Sequence, residues 1–120
     1  MKRILIADDS FYQRKVLGDM VRELGHTCDT VASGEELLDK VNNTYDCVFL
    51  DLLMTGISGI DVLAEMKKRT DMPPVIVITA DIQRARKEES LALGAAAFMN
   101  KIVSKEALEK TLNDVLNNAG

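Results

Sequence analysis

The chain has 120 residues, a size that suits one compact domain and leaves no room for two of ordinary size. Apolar residues make up 47% and charged residues 28%, enough for a core and a solvated surface and unlike a disordered chain. The net charge of −4 and pI near 5.0 argue against direct nucleic-acid binding, and no apolar run approaches a membrane span or a signal peptide.

In chain order, short apolar segments alternate with helical patterns five times. The first strand is expected over Arg3 to Ala7, with ILIA as a continuous apolar run. A helix follows with Val16, Leu17, Met20, Val21 and Leu24 on one face, stopping at Gly25. The second strand, Thr27 to Val31, is more polar, as an edge strand tends to be; the second helix opens at Ser33 with Glu36 completing a capping box. The third strand is expected over Asp46 to Leu50, and the third helix from near Ser58 through Met66, ahead of the breaker at Asp71 to Pro74. Pro74 to Ile78 reads as the fourth strand and Gln83 to Leu93 as its helix. Ala95 to Met99 is the fifth strand, and a last helix starts at Ser104, burying Leu108, Leu112, Val115 and Leu116 before the polar tail Asn117 to Gly120.

Continuous apolar strands are covered on both faces, so the pattern predicts an α/β fold: a parallel sheet, doubly wound as (βα)5, forming one domain over residues 1–120. Cys28 and Cys47 lie in strand-like segments without metal-ligand spacing and are expected as reduced thiols in or near the core of a cytoplasmic protein. His26 follows the Gly25 turn and is expected at the surface; Met54 and Met66 are expected to fill gaps in the core.

In such a sheet ligands bind beyond the carboxyl ends of the strands. Asp8, Asp9 and Ser10 follow the first strand, Asp51 the third, Thr79 the fourth, and Asn100 and Lys101 the fifth. Each has an ordinary reading alone: helix N-terminal acids, a loop carboxylate, a strand-end hydroxyl, a solvated lysine. Their placement on one rim favours a shared site. Three close carboxylates repel, and a hard cation such as Mg²⁺, with its preference for oxygen ligands, relieves that. Lys101 supplies a second positive group. An ionised carboxylate so placed is a nucleophile for phosphorus, and phosphoryl transfer asks chiefly for positioning and charge stabilisation.

The segments ILIADDS, VFLDLLMTGISGIDVL, VIVITA and AFMNK, in this order and spacing, resemble the receiver domains of response regulators, particularly the single-domain chemotaxis type. The resemblance spans the whole chain. It implies a flavodoxin-like strand order 2-1-3-4-5 and a role in two-component signalling, with catalysis limited to the domain's own phosphorylation and dephosphorylation. It implies that Asp51 accepts the phosphoryl group. Asp9 would ligate Mg²⁺ directly, Asp8 mostly through water, and Asp51 and the Leu53 carbonyl would complete the protein's share. Thr79 and Lys101 would bond the phosphoryl group, Ala80 would leave it room, and Phe98 would be the aromatic switch. Leu53 and Asp81 flank the path of the hydrolytic water and would tune the lifetime of the phosphorylated state. The implied partners are a sensor histidine kinase or phosphotransfer protein upstream and an output protein or domain downstream, whether the chain is free-standing or part of a longer protein.

Two positions depart from that family's pattern: Ile102 replaces the usual proline after the lysine, and Thr55 the usual proline four residues after the acceptor. A non-proline cis bond costs about 2.5–4 kcal/mol, so the Lys101–Ile102 bond is expected to be trans, with a changed loop from Asn100 to Ser104. Rival functions fit less well. A flavin mononucleotide carrier would meet repulsion between phosphate and Asp8-Asp9, and a haloacid-dehalogenase-type phosphatase wants an aspartate where Leu53 stands. A receiver-like scaffold that never takes phosphate would not need the intact acidic set.

Overall fold

A computed structural model describes residues 1–118; Ala119 and Gly120, the end of the expected tail and of the expected 1–120 domain, lie outside the described residues. The elements follow the expected rhythm: β1 Arg3–Ala7, α1 Phe11–Glu23, β2 Thr27–Val31, α2 Gly34–Lys40, β3 Cys47–Leu50, α3 Gly59–Lys67, β4 Val75–Thr79, α4 Arg84–Ala92, β5 Ala97–Asn100 and α5 Lys105–Asn118. The strands form one sheet in the order β2-β1-β3-β4-β5, every neighbouring pair parallel. This is the flavodoxin-like order, and β2 is an edge strand as its polar sequence indicated.

Strand alternation sorts the core into two layers. Leu5, Val48, Leu50, Val75 and Val77 face α2 and α3, where Leu37, Val62, Leu63 and Met66 cover them. Ile4, Ile6, Cys47, Phe49, Ile76 and Ile78 face the other way, under Leu17 and Val21 of α1 and Leu108, Leu112 and Val115 of α5. The start of α2 is capped much as the sequence suggests. The Ser33 hydroxyl accepts from the Glu36 amide at 3.1 Å, while the Glu36 carboxylate reaches back to the Ala32 amide rather than to that of Ser33. Gly25, with φ 89°, turns the chain after α1 in a conformation that a side chain would strain.

Cys47 is buried and Cys28 half-buried, both free; burial pushes the Cys47 thiol up to about 12. Met66 is buried and Met54 packs against the core beside it. His26 is half-buried rather than fully at the surface, because its Nδ1 accepts the Lys2 amide at 3.1 Å and draws the ring against the first strand. Among the described residues no helix is long and apolar enough to cross a membrane.

Candidate functional site

The parallel register lines up the strand ends. Ala7 pairs with Leu50 across β1 and β3, and Thr79 with Asn100 across β4 and β5, so the residues that follow emerge on one rim. Asp51 is tied to that rim by its own amide, which donates to the Ala7 carbonyl at 3.1 Å. From the far side α3 presses close: a Cβ on Gly59 would stand 2.6 Å from the Asp51 carbonyl oxygen and the Leu52 Cα, so only glycine lets the helix approach the acidic loop this nearly.

Asp8 and Asp51 are buried, with side chains 2% and 6% exposed, and the Lys101 ammonium lies between them. Its Nζ donates to Asp8 Oδ2 at 2.6 Å and to Asp51 Oδ2 at 2.9 Å. The remaining carboxylate oxygens are occupied by backbone amides: Ser10 donates to Asp8 Oδ1 at 2.9 Å and Leu53 to Asp51 Oδ1 at 3.0 Å. Burial raises the Asp8 pKa above the ordinary aspartate value; the Lys101 and Ser10 bonds pull it down without cancelling that rise. Burial likewise works against the Lys101 ammonium, but its bonds to the two carboxylates outweigh the loss and hold its pKa above the ordinary lysine value. One lysine and two carboxylates have thus been taken out of water together.

Asp9 is exposed, and its Oδ2 accepts the Thr55 amide at 3.3 Å. Among the described residues no three acidic or other metal-ligating side chains surround one point. The carboxylates of Asp8, Asp9 and Asp51 offer only oxygen, the chemistry that suits Mg²⁺, which needs one or two carboxylates and fills its remaining positions with water and phosphate.

Thr79 closes β4 fully buried, its hydroxyl accepting the Asp81 amide at 3.3 Å; Ala80 is exposed beside it. Leu53 is 53% exposed, and it shares with Asp81 the walls of a cleft of about 300 Å³ between α3 and α4. Phe98 is half-buried on β5 and packs against the core layer under α2 and α3.

The Lys101–Ile102 peptide bond is cis, against the trans expectation, which removes the ground for expecting a changed loop from Asn100 to Ser104. That expectation weighed the isolated bond alone. In the fold the Lys101 amide donates to the Thr79 carbonyl at 2.9 Å and Val103 is buried, so both flanks of the bond are placed by tertiary contacts.

Three further residues brace this rim, and two of them have no obvious mark in the sequence. Arg14 on α1 donates to the Asp8 carbonyl at 2.7 Å. Glu35 on α2 accepts the Ile57 amide at 3.3 Å and so braces the loop after β3. Asn100 donates from its side-chain amide to the Asp81 carbonyl at 2.9 Å and to the Thr79 carbonyl at 3.4 Å, tying the end of β5 to the loop after β4. Asn100 alone was visible, as a polar residue at a strand end.

Comparison with known proteins places this chain in a family. The family model described as "Response regulator receiver domain" matches residues 4–113. The two-component response regulator PhoP of Pseudomonas aeruginosa is 32% identical over 115 residues, covering 95% of this chain and 51% of PhoP. The sensory/regulatory protein RpfC of Xanthomonas campestris pv. campestris is 34% identical over 118 residues, covering 94% of this chain and 16% of RpfC. The chain therefore spans about half the length of PhoP and about a sixth of RpfC. Among solved structures, the chemotaxis protein CheY4 of Vibrio cholerae superposes with a TM-score of 0.84 at 27% identity, covering 96% of this chain and 98% of CheY4. A CheY-like receiver domain from Methanospirillum hungatei JF-1 gives a TM-score of 0.91 at 24% identity over 98% of this chain and 95% of its own, a likeness of fold. The chain belongs to the response-regulator receiver family, signalling domains of two-component systems that accept a phosphoryl group on an aspartate and generally depend on Mg²⁺.

Proposed function

We propose that Asp51 is the phosphoacceptor of this chain and that residues 1–120 act as one receiver domain. The observation that carries this is the Lys101 ammonium held between the buried carboxylates of Asp8 and Asp51. An Asp51 carboxylate oxygen attacks the phosphorus of a phosphohistidine donor, from a sensor histidine kinase or phosphotransfer protein. The oxygen–phosphorus bond forms as the nitrogen–phosphorus bond breaks, and the leaving imidazole nitrogen takes up a proton. Asp8, Asp9, Asp51 and the Leu53 carbonyl would hold Mg²⁺, which neutralises charge on the phosphoryl oxygens when bound. Lys101 exchanges a carboxylate partner for a phosphoryl oxygen, and the Thr79 hydroxyl donates to another. Ala80, small and exposed, leaves the space free.

Shifting a population from 1:99 to 99:1 takes about 5.5 kcal/mol. Two new bonds to a charged group, from Thr79 and Lys101, supply roughly 1.5–3 kcal/mol each. Burial of Phe98 as the Thr79 loop moves is the element that carries this to an output protein or domain. The chain works in the cytoplasm through protein partners, without inserting in membranes; its net charge of −4 speaks against direct contact with nucleic acid. Its catalysis is confined to its own phosphorylation and dephosphorylation.

Beryllofluoride or acetyl phosphate with Mg²⁺ should load or modify Asp51, and Asp51→Asn should abolish this with the fold intact. Equal loading of the mutant would remove Asp51 from the role. Leu53 and Asp81 set the lifetime of the phosphorylated state. Leucine orients no water, whereas Leu53→Asn supplies an amide that does, so phosphate loss at saturating Mg²⁺ should be faster in that variant. Matching decay rates would exclude gating by Leu53.

A further inference from the structure

The amide of Thr55 does something that the proline usual at this point of the family could not: it donates a hydrogen bond. Its partner is Asp9, 46 positions away, through Oδ2 at 3.3 Å. The loop that presents this amide is pinned on several sides. The Leu53 amide donates to Asp51 Oδ1 at 3.0 Å, the Gly59 amide to the Leu52 carbonyl at 3.2 Å, and the Ile57 amide to Glu35 Oε2 at 3.3 Å. Gly56, with φ 79°, turns directly against Glu35, whose Oε2 would stand 2.9 Å from an added Cβ. Asp9 itself is exposed and would otherwise be free to rotate.

We propose that the Thr55 amide is the positioning group for Asp9: it fixes Oδ2 and leaves Oδ1 for the cation. This rests on the reading of Asp9 as a Mg²⁺ ligand. Ligating carboxylates depend on such outer hydrogen bonds for their orientation, and loss of one typically weakens metal binding 10–100-fold. The role belongs to the backbone, so the Thr55 side chain is dispensable and the N–H is not.

The test is a Mg²⁺ titration of the unphosphorylated protein, followed by calorimetry and amide NMR, on wild type, Thr55→Ala and Thr55→Pro. Thr55→Ala keeps the donor and should bind within about twofold of wild type, whereas Thr55→Pro should bind roughly tenfold more weakly. Equal affinity of Thr55→Pro and wild type overturns the inference, as does equal weakening in both variants, which would place the effect in the side chain. If Thr55→Pro does not fold, hydrogen exchange at the Thr55 amide decides: protection in wild type should be lost in Asp9→Ala, and identical exchange in the two overturns the inference. A wild type that binds no Mg²⁺ sinks the metal reading together with this one. A wild type whose affinity falls in Asp9→Ala but not in Thr55→Pro removes this inference alone.

Discussion

Lys101 and Arg3 each gather distant parts of the chain around a positive charge, at opposite ends of the sheet and in opposite surroundings. At the carboxyl ends of the strands, Lys101 is 11% exposed between two carboxylates that are nearly closed to water. At the amino ends, the Arg3 guanidinium meets Asp29 at 3.4 Å with both side chains nearly half exposed, stacks 4.4 Å over the Tyr45 ring and donates to Thr44. Asp29 also accepts the Tyr45 hydroxyl at 2.6 Å, and Asp46 accepts the Arg3 amide at 2.8 Å. The second cluster staples β1, β2 and the turn before β3, and water can reach its charged members, Arg3 and Asp29, when a partner is lost. The first has no such substitute. Its charged groups are closed off from water and unequal in number, two acids to one base. Similar side chains make a partly solvated fastening at one end and a closed charged centre at the other because burial differs.

The largest effect is expected where no water can step in. Lys101→Met strands two buried carboxylates, and the loss of stability by urea unfolding at pH 7 should be about 3 kcal/mol. Added Mg²⁺ should recover part of it, since a ligand of the native state stabilises by mass action. A loss under about 1 kcal/mol, indifferent to Mg²⁺, would erase the contrast.

Tyr45→Phe comes next, at about 1 kcal/mol, because Asp29 regains water when the phenol is lost. Its pH profile sharpens the comparison. The Tyr45 bond, first among its causes, lowers the Asp29 pKa below 3.8 in the folded protein, so this contribution is complete above that value and disappears as pH falls through the folded pKa. Burial, then the same bond, raises the Tyr45 pKa from 10.0 to about 12, so its contribution is complete below 10.0 and disappears as pH rises through about 12. The difference in melting temperature between wild type and Tyr45→Phe should be widest from about pH 4 to 10 and should narrow on both sides. A flat difference would mean that the hydroxyl matters only for packing.

The smallest effect belongs to Arg3→Met, which keeps the stem over Tyr45. It should cost less than about 1 kcal/mol and little of that should survive in 1 M salt. A larger, salt-resistant loss would show that the amino-end cluster behaves as a buried one.

The fold was legible because apolar runs and helix stops were unambiguous, and the strand-end positions of Asp8, Asp51, Thr79 and Lys101 followed from it. Boundaries slipped where polar or small residues took other duties. Asp46 was expected in β3 but spends its carboxylate on the Arg3 amide. Ala95 and Ala96 were expected in β5 but close the turn after α4, their amides donating to Ser90 and Val75 carbonyls, and the strand begins at Ala97. Around the site, the acids and the lysine could be read because their chemistry is in their side chains. The Thr55–Asp9 and Arg14–Asp8 bonds could not, since each uses a backbone group that every residue or nearly every residue carries. The cis bond at Lys101 escaped for a related reason: neither residue announces it, and what places its flanks lies on β4 and in the core.

The bond from Lys101 to Asp8 joins positions 93 apart, and the one to Asp51 spans 50. Long closures of this kind are costly in chain entropy and form late, after the local elements that they connect. During synthesis from the amino end, Asp8 and Asp51 leave the ribosome well before the lysine that balances them. A nascent chain that stops short of β5 has both acids and no Lys101 to balance them, so the charged centre is assembled only when the last strand takes its place at the sheet edge.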